Sequence, residues 1–231
     1  MKRPRLHRIG CIGDPHAEDR RLARAIDHLH GAGVDAILCV GDLVDGEGDV
    51  DRLVDLLKEH EVLTVRGNHD RWFLQGVNRG LAHATRSVRP ATRDYLEALP
   101  ATIRLPALGG DLLLCHGVGE DDTAELRPDT DGYALACLDR LPALESDPSL
   151  VWMVGGHTHQ VMLRALPGLW VINAGALAGS APGFVIVDLV ERTLVHQRFA
   201  DGDALAEPRR LAWPAAMDLR AQVRARETTV R

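Results

Sequence analysis

The amino-acid sequence predicts an α/β protein, with alternating strands and helices in its first half and a β-rich second half. In the first 65 residues, short apolar runs alternate with segments whose apolar residues recur at helical spacing. After residue 150, short apolar runs follow one another and are separated by Gly and Pro, a pattern typical of hairpins. The chain has 231 residues, which is enough to bury the core of one domain.

The first half has a β-α-β-α-β pattern, which implies parallel strands joined by right-handed crossovers. A continuously apolar run such as 36–40 is typical of a strand that is covered on both faces. The pattern predicts, in order, a strand over 7–13, a helix over 18–31, a strand over 36–40, a helix over 50–60 and a strand over 62–65.

The sequence after residue 65 predicts further helices and strands. Their order is irregular before residue 150, and they are mostly strands after it. The middle predicts a mostly helical segment over 73–99, a strand pair over 102–106 and 111–115, and a helix over 133–144. The second half predicts strands that form hairpins in a second sheet, over 150–154, 161–166, 169–172, 183–189 and 193–199. We predict one domain over 1–202 and a C-terminal extension over 203–231, in which 214–226 is compatible with an amphipathic helix.

Composition and charge argue against extended nucleic acid and membranes as partners. The net charge of −6 and the lack of a basic stripe argue against a protein that binds extended nucleic acid. The apolar run near the N-terminus is interrupted by Asp14, so it is too short for a signal peptide or a membrane span, and we expect a cytoplasmic protein with no membrane partner. The four cysteines are widely spaced with no CxxC pair, which favours reduced, mostly buried thiols.

Five short polar segments each follow a predicted strand, and ligands bind at that edge of open α/β sheets. The first is Asp14-Pro15-His16. In an extended loop, residues two apart point to the same side, so this carboxylate and this imidazole can converge on one ion. Taken alone, such a triplet is weak evidence for a metal site.

The second and third segments follow the strands over 36–40 and 62–65. Asp42, in the segment from Gly41 to Asp45, could bridge two cations with its two oxygens, although an isolated Gly-Asp pair more often caps a helix. In Arg66-Gly67-Asn68-His69-Asp70, the Asn68 oxygen could bind a metal without adding charge. The alternative is a helix that starts with an Asn cap and leaves His69 exposed.

The last two segments are His116-Gly117 and Gly156-His157-Thr158-His159. A single histidine such as His116 is more often structural than a ligand, whereas two histidines one residue apart with glycines beside them form a more specific metal pattern. Two cations that share one carboxylate need about seven protein ligands. The segments supply seven candidates: Asp14, His16, Asp42, Asn68, His116, His157 and His159.

The order of these segments resembles the calcineurin-like metallophosphoesterase superfamily, whose pattern is D-x-H, G-D-x-x-D, G-N-H-[DE], an isolated H and G-H-x-H. The resemblance spans residues 14–159 and fills every ligand position. It implies a four-layer α-β-β-α sandwich of two mixed sheets. It also implies one metal ion held by Asp14, His16, Asp42 and His159, and a second held by Asp42, Asn68, His116 and His157.

The resemblance further implies a two-metal hydrolase in which a metal-bridging hydroxide attacks a phosphate ester. In such sites the ions lie roughly 3.5–4 Å apart and clamp the attacking and leaving oxygens. His69 would be the general acid or transition-state stabiliser, and Asp45 would orient it. The nitrogen and oxygen ligands suit Mn²⁺, Fe, Zn²⁺, Ni²⁺ or Co²⁺, and the resemblance alone favours manganese.

Two departures from the pattern bear on the substrate. Protein phosphatases of the superfamily carry an Arg directly after the second Asp of G-D-x-x-D, and here that place is Gly46, which argues against a protein substrate. Residues 173–176 (NAGA) resemble a degraded Asn-Pro-Gly-Ser loop of small bacterial phosphodiesterases. We therefore expect a small phosphodiester or phosphomonoester substrate.

Several alternatives stay open from the sequence. A nucleotide phosphatase would need no long basic groove, and a non-catalytic scaffold is a further possibility because a retromer subunit with this fold has lost catalytic power. A scaffold would not need His69 together with a full ligand set. Arg66 or Arg71 could contact phosphate or form surface ion pairs, and Trp72 and Phe73 could stack on a substrate or pack beneath the loop. The C-terminal extension could cover the core or join a partner subunit, which would give a homo-oligomer.

Overall fold

Two mixed β-sheets face each other, and helices cover the outer face of each. The computed structural model describes residues 4–214. The strands are β1 (Arg8–Ile12), β2 (Ala36–Cys39), β3 (Leu63–Thr64), β4 (Ile103–Ala107), β5 (Gly110–Leu114), β6 (Leu150–Gly155), β7 (Met162–Leu166), β8 (Leu169–Asn173), β9 (Gly183–Asp188), β10 (Thr193–Arg198) and β11 (Arg209–Leu211). The helices are α1 (Asp19–Gly31), α2 (Val50–Glu59), α3 (Asn68–Leu74), α4 (Pro90–Ala98), α5 (Gly132–Ala136) and α6 (Leu141–Glu145), and a short 3₁₀ turn lies at Asp201–Asp203.

The first sheet has the strand order β11-β10-β9-β1-β2-β3. As predicted, β1, β2 and β3 are parallel, and β9 runs antiparallel to β1 on its other side. The prediction that the strands near 183–189 and 193–199 belong to the second sheet is wrong, because β9 and β10 pair with each other inside the first sheet. Both faces of β9 are buried, since Phe184 and Ile186 contact the helix side while Val185 and Val187 face the other sheet.

The second sheet has the strand order β4-β5-β6-β8-β7. Strands β4 and β5 form the predicted hairpin. Strands β6 and β8 continue the sheet in parallel with β5, and β7 closes it antiparallel to β8. The carboxyl ends of β5 and β6 therefore lie side by side, as do those of β1, β2 and β3 in the first sheet.

Apolar side chains fill three layers between and outside the sheets. The first cluster lies between helices α1, α2 and α4 and the first sheet, the second lies between the two sheets, and the third lies between the second sheet and the segment that carries α5 and α6. This arrangement confirms the four-layer α-β-β-α sandwich. The four cysteines are unpaired, and three of them are buried.

Two predicted helices differ from the structure. The helical segment predicted over 73–99 is two helices, because α3 begins at Asn68 and residues 75–89 form an irregular segment before α4. Gly76 and Gly80 have φ of 69° and 62°, which a continuous right-handed helix cannot contain. The helix predicted over 133–144 is likewise divided into α5 and α6. Pro142 lies in the first turn of α6, where proline is tolerated, but it would interrupt a longer helix.

The chain beyond residue 202 adds to the first sheet through β11, which pairs with β10. Trp213 follows β11, and its ring centroid lies 6.1 Å from that of Trp152 and 5.5 Å from that of Trp170. The domain boundary at residue 202 stays a prediction, and the helix predicted over 214–226 lies outside the described residues except at its first position. Within residues 4–214, no helix has both the length and the apolar character needed to cross a membrane.

Candidate metal centre

The seven predicted ligands meet at one edge of the sandwich. Each follows a strand whose carboxyl end reaches this edge: β1 and β2 bring two ligand-bearing loops, β3 leads into Asn68, and β5 and β6 bring the histidines of the second sheet. All these loops come from parallel strands, so the topology itself gathers them. The seven side chains form two groups of nitrogen and oxygen atoms.

The first group contains Asp14, His16 and His159, whose candidate ligand atoms all lie within 4.8 Å of one another. His16 Nε2 is 3.3 Å from His159 Nε2, and His159 Nε2 is 3.9 Å from Asp14 Oδ1. Asp42 Oδ2 is 3.8 Å from His16 Nε2. These four side chains are the set that the resemblance assigns to one ion.

The second group contains Asp42, His116 and His157, again within 4.8 Å of one another. His116 Nε2 lies 3.4 Å from Asp42 Oδ2 and 2.8 Å from Asn68 Oδ1. Asp42 Oδ2 therefore faces histidines of both groups, as a bridging ligand requires.

The imidazoles of His16 and His116 present their Nε2 atoms to these groups. His16 Nδ1 lies 3.0 Å from the carbonyl oxygen of Val44, and His116 Nδ1 lies 2.8 Å from that of Val40. A carbonyl oxygen accepts only from a protonated nitrogen, so the proton of the neutral ring is fixed on Nδ1. When a cation binds, each ring would keep this Nδ1 proton and offer Nε2 as the ligand atom, an arrangement common among metal-binding histidines.

The charges of the two groups fit cations. Asp14 and Asp42 are fully buried, and within the described part of the chain their ion pairs are all with histidines. Burial raises the pKa of Asp14 to about 8. Burial opposes a charge on His116, but contact with Asp42 outweighs it and raises the pKa of this imidazole to about 10. Asp14 and Asp42 are thus two buried carboxylates paired, among residues 4–214, with histidines alone, a donor set suited to divalent ions.

The ligand loops pass very close to one another, and two glycines allow this. A Cβ atom on Gly67 would lie 2.1 Å from Asp42 Oδ1, and one on Gly156 would lie 2.5 Å from Asp14 Oδ2. Any side chain at these two positions would displace a carboxylate of the site.

Six side chains of the site belong to residues with left-handed backbone conformation, which non-glycine residues rarely adopt. Their φ values are positive: 29° at Asp14, 42° at His16, 57° at Asp42, 67° at Asp45, 63° at His157 and 56° at His159. Each such residue costs roughly 1–2 kcal/mol, so the fold around the site compensates for local strain.

His69 and Asp45 form a pair beside the two groups. His69 Nδ1 is 2.7 Å from Asp45 Oδ2. Burial opposes a charge on His69, but the hydrogen bond to Asp45 and the nearby Asp42 raise its pKa above the usual value. His69, His16 and Asp42 also offer ligand atoms within 4.8 Å of one another, so the His69 ring lies next to the metal groups.

Asp70 is a residue of the site to which the sequence reasoning gave no role. It is fully buried and accepts hydrogen bonds from backbone N–H groups. Oδ2 accepts from Asp42 and Gly67 at 2.9 and 3.0 Å, and Oδ1 accepts from Leu43 at 2.8 Å. It ties the loop after β2 to the loop after β3. The signal for it is in the sequence, since it is the last residue of the Gly67-Asn68-His69-Asp70 segment.

Other residues left open by the sequence are also located. Arg71 forms a two-point ion pair with Asp122, with N–O distances of 2.7 and 2.8 Å. Phe73 is buried in the first core cluster, whereas the ring centroid of Trp72 lies 5.2 Å from that of His69. Asn173 donates from Nδ2 to the carbonyl oxygen of Gly156 at 2.6 Å, so the 173–176 segment supports the loop that carries His157 and His159.

The fold recurs in known proteins. Residues 8–192 match the calcineurin-like phosphoesterase superfamily domain. A metallophosphoesterase from Sphaerobacter thermophilus is 22% identical, with a TM-score of 0.62 over 96% of this chain and 94% of its own. An archaeal phosphodiesterase is 16% identical, with a TM-score of 0.51 over 88% of this chain and 98% of its own. The zinc complex of Vps29 from Entamoeba histolytica is 18% identical, with a TM-score of 0.52 over 90% and 99%. Similarity at these identities establishes the fold, and the domain match covers most of the sequence. The chain therefore belongs to the calcineurin-like phosphoesterase superfamily.

Proposed function

We propose that the protein is a two-metal phosphoesterase that hydrolyses a small phosphodiester or phosphomonoester. The observation that carries this proposal is the pair of donor groups with Asp42 Oδ2 between them, 3.8 Å from His16 Nε2 and 3.4 Å from His116 Nε2. A scaffold would have no need for two complete donor sets, or for a histidine held by a buried carboxylate at their edge.

In this proposal Asp14, His16, Asp42 and His159 hold one ion, and Asp42, Asn68, His116 and His157 hold the other. The ions would supply Lewis-acid catalysis, polarising phosphoryl oxygens and making water acidic enough to attack near neutral pH. Two divalent ions carry about +4, and the Asp14 and Asp42 carboxylates remove about 2 of this. The remaining positive charge attracts a phosphate although the whole chain has a net charge of −6.

The chain's own contribution to leaving-group departure comes from His69. Its Nδ1 is occupied by Asp45, so Nε2 is the nitrogen that can donate a proton to the leaving oxygen as the P–O bond breaks. A general acid in this position contributes typically about 10²–10⁴-fold to the rate. Asp45 fixes the ring orientation and stabilises its charged form.

The test is a panel of aryl phosphates, aryl phosphodiesters and cyclic nucleotides. The protein is first stripped with a chelator and then supplied with Mn²⁺, Fe²⁺, Zn²⁺, Co²⁺ or Ni²⁺. We expect hydrolysis that depends on metal and saturates at two ions per chain by elemental analysis, with Mn²⁺ as the favoured ion. A protein that cleaves no member of the panel with any ion would instead be a scaffold, as the retromer-type alternative holds.

Two variants separate the roles of neighbouring residues. With a poor leaving group such as phenol, His69→Ala is expected to lose at least about 100-fold in kcat and to keep both metal ions. Asp42→Asn is expected to lose metal and activity together, because it removes the carboxylate charge that would serve both ions. His30→Ala changes an exposed histidine of α1 and serves as the control. Loss of metal from His69→Ala would show that His69 is a ligand and would overturn its assignment as the acid.

Asn68→Asp tests whether the neutral ligand matters. The added carboxylate reduces the positive excess at the second ion, so we expect a higher KM for phosphate esters without a loss of bound metal. A variant with the kinetics of the wild type would refute the charge argument.

A further inference from the structure

An irregular segment between α3 and α4 contacts Asp45, the partner of His69. The Asp45 carboxylate is 1% exposed, and its Oδ1 accepts a hydrogen bond of 2.8 Å from the backbone N–H of Thr85. In return the backbone N–H of Asp45 donates to the Thr85 hydroxyl at 2.9 Å. The carboxylate that orients His69 is thus itself held by a segment distant in sequence.

The same segment brings a cation to this carboxylate. Arg79 Nε lies 2.6 Å from Asp45 Oδ2, the same oxygen that contacts His69 Nδ1 at 2.7 Å. The contact with Arg79 is an ion pair by distance, although its angle is not that of a hydrogen bond. One carboxylate oxygen therefore lies between a permanent cation and the imidazole.

The rest of the Arg79 side chain is also engaged. Its two terminal nitrogens donate to the carbonyl oxygens of Val77 and Thr85, both at 2.9 Å, and its guanidinium carbon lies 5.8 Å from the centroid of the Phe73 ring. The side chain is 7% exposed. Arg79 is therefore committed to the protein interior and is not placed to bind the phosphate of a substrate.

We propose that Arg79 is a positioning residue for leaving-group protonation: it fixes the Asp45 carboxylate, and through it the orientation of His69. The inference rests on the function proposed above. In the reaction, the oxygen of water bonds to phosphorus and the P–O bond to the leaving group breaks. The attacking water loses a proton to solvent, while His69 Nε2 gives its proton to the leaving oxygen and later takes one back from solvent.

The competing explanation is that Arg79 only fastens the 75–89 segment to the domain. The two explanations differ in how the rate decrease on replacing Arg79 depends on the leaving group. A poor leaving group needs a proton to depart, whereas a good one leaves as the anion. A purely structural defect lowers the rate for both substrates by the same factor.

The experiment compares phenyl and p-nitrophenyl esters of the same phosphate type with the metal-loaded full-length protein. For Arg79→Met we expect kcat to fall about tenfold or more with the phenyl ester, but less than about threefold with the nitrophenyl ester. The control is Arg93→Met. Arg93 contacts the same Phe73 ring at 5.9 Å but pairs with Glu97 instead of Asp45, so we expect equal, small changes for both esters.

The ratio of kcat with the phenyl ester to kcat with the nitrophenyl ester is measured on one preparation. Unfolded molecules lower both values by the same factor, so partial unfolding of a variant leaves the ratio unchanged. In an Asp45→Asn background, adding Arg79→Met is expected to change the ratio by less than about threefold, because the carboxylate through which Arg79 acts is gone. Equal losses for both esters in Arg79→Met, or an undiminished effect in the Asp45→Asn background, would overturn the inference. A wild-type protein that cleaves neither ester would instead overturn the proposed function, and with it this role.

Discussion

Replacing Asp70 by Asn tests whether one buried carboxylate holds together the two ligand-bearing loops after β2 and β3. The carboxylate accepts two backbone hydrogen bonds on each oxygen: Oδ2 from Asp42 and Gly67, and Oδ1 from Leu43 at 2.8 Å and Val44 at 3.3 Å. An Asn side chain keeps one oxygen but places an NH₂ group against two N–H donors. A buried N–H without a partner costs about 1–3 kcal/mol, so the two lost bonds give an expected destabilisation of about 2–6 kcal/mol.

The assay is urea unfolding with metal analysis of the folded variant. Burial, together with the neighbouring Asp42 charge, raises the pKa of Asp70 to about 6, so the measurement is made near pH 8, where the group is ionised. Asp49→Asn is the matched control, because Asp49 caps α2 by accepting from the backbone N–H of Arg52 and Asn caps helices equally well. We expect the control to change stability by less than about 0.5 kcal/mol. A loss below about 1 kcal/mol in Asp70→Asn, with both metal ions retained, would refute the reasoning.

Three further variants probe the site and the fold. Gly67→Ala places a Cβ atom 2.1 Å from Asp42 Oδ1, so we expect loss of at least one metal ion by elemental analysis, and Gly31→Ala, where nothing lies within 4 Å, should lose none. Burial, with two arginines nearby, lowers the pKa of His196 to about 4, so the folded state favours the neutral ring. Its contribution is present above the unfolded pKa of about 6.5 and is lost as pH falls towards 4, and His196→Gln should flatten the stability profile over that window. Trp213→Ala removes the ring that packs on two buried tryptophans of the second sheet, and we expect a loss of about 2–4 kcal/mol in thermal or urea unfolding.

The sequence predicted β1 to β10 and the first two helices because their apolar periodicity is strong and local, but it did not predict β11. It failed where the outcome depends on long-range pairing. The local sequence does not indicate that β9 pairs with β1, since a strand buried on both faces has the same apolar run in either sheet. It also failed over 75–89, where two glycines end a helical pattern.

The candidate ligands were predictable because strand ends in parallel sheets converge, and each ligand sits directly after a strand. The pairing of His69 with Asp45 at 2.7 Å agrees with the role that the resemblance implied, although the role itself awaits the kinetic tests. The part that sequence could not supply is the arginine behind this pair. Arg79 lies in an irregular segment 34 positions after Asp45, with no motif to mark it.

The left-handed backbone conformation of the site residues lowers thermal stability at the positions that the proposed catalysis requires. Glycine adopts that conformation without steric cost and asparagine with little, whereas aspartate and histidine adopt it at an expense borne by the rest of the domain. Laboratory evolution of this chain for heat tolerance alone, with no screen for turnover, should therefore accumulate Gly or Asn at such positions. His159, whose side chain is 43% exposed and least confined by packing, is the position where this drift should begin.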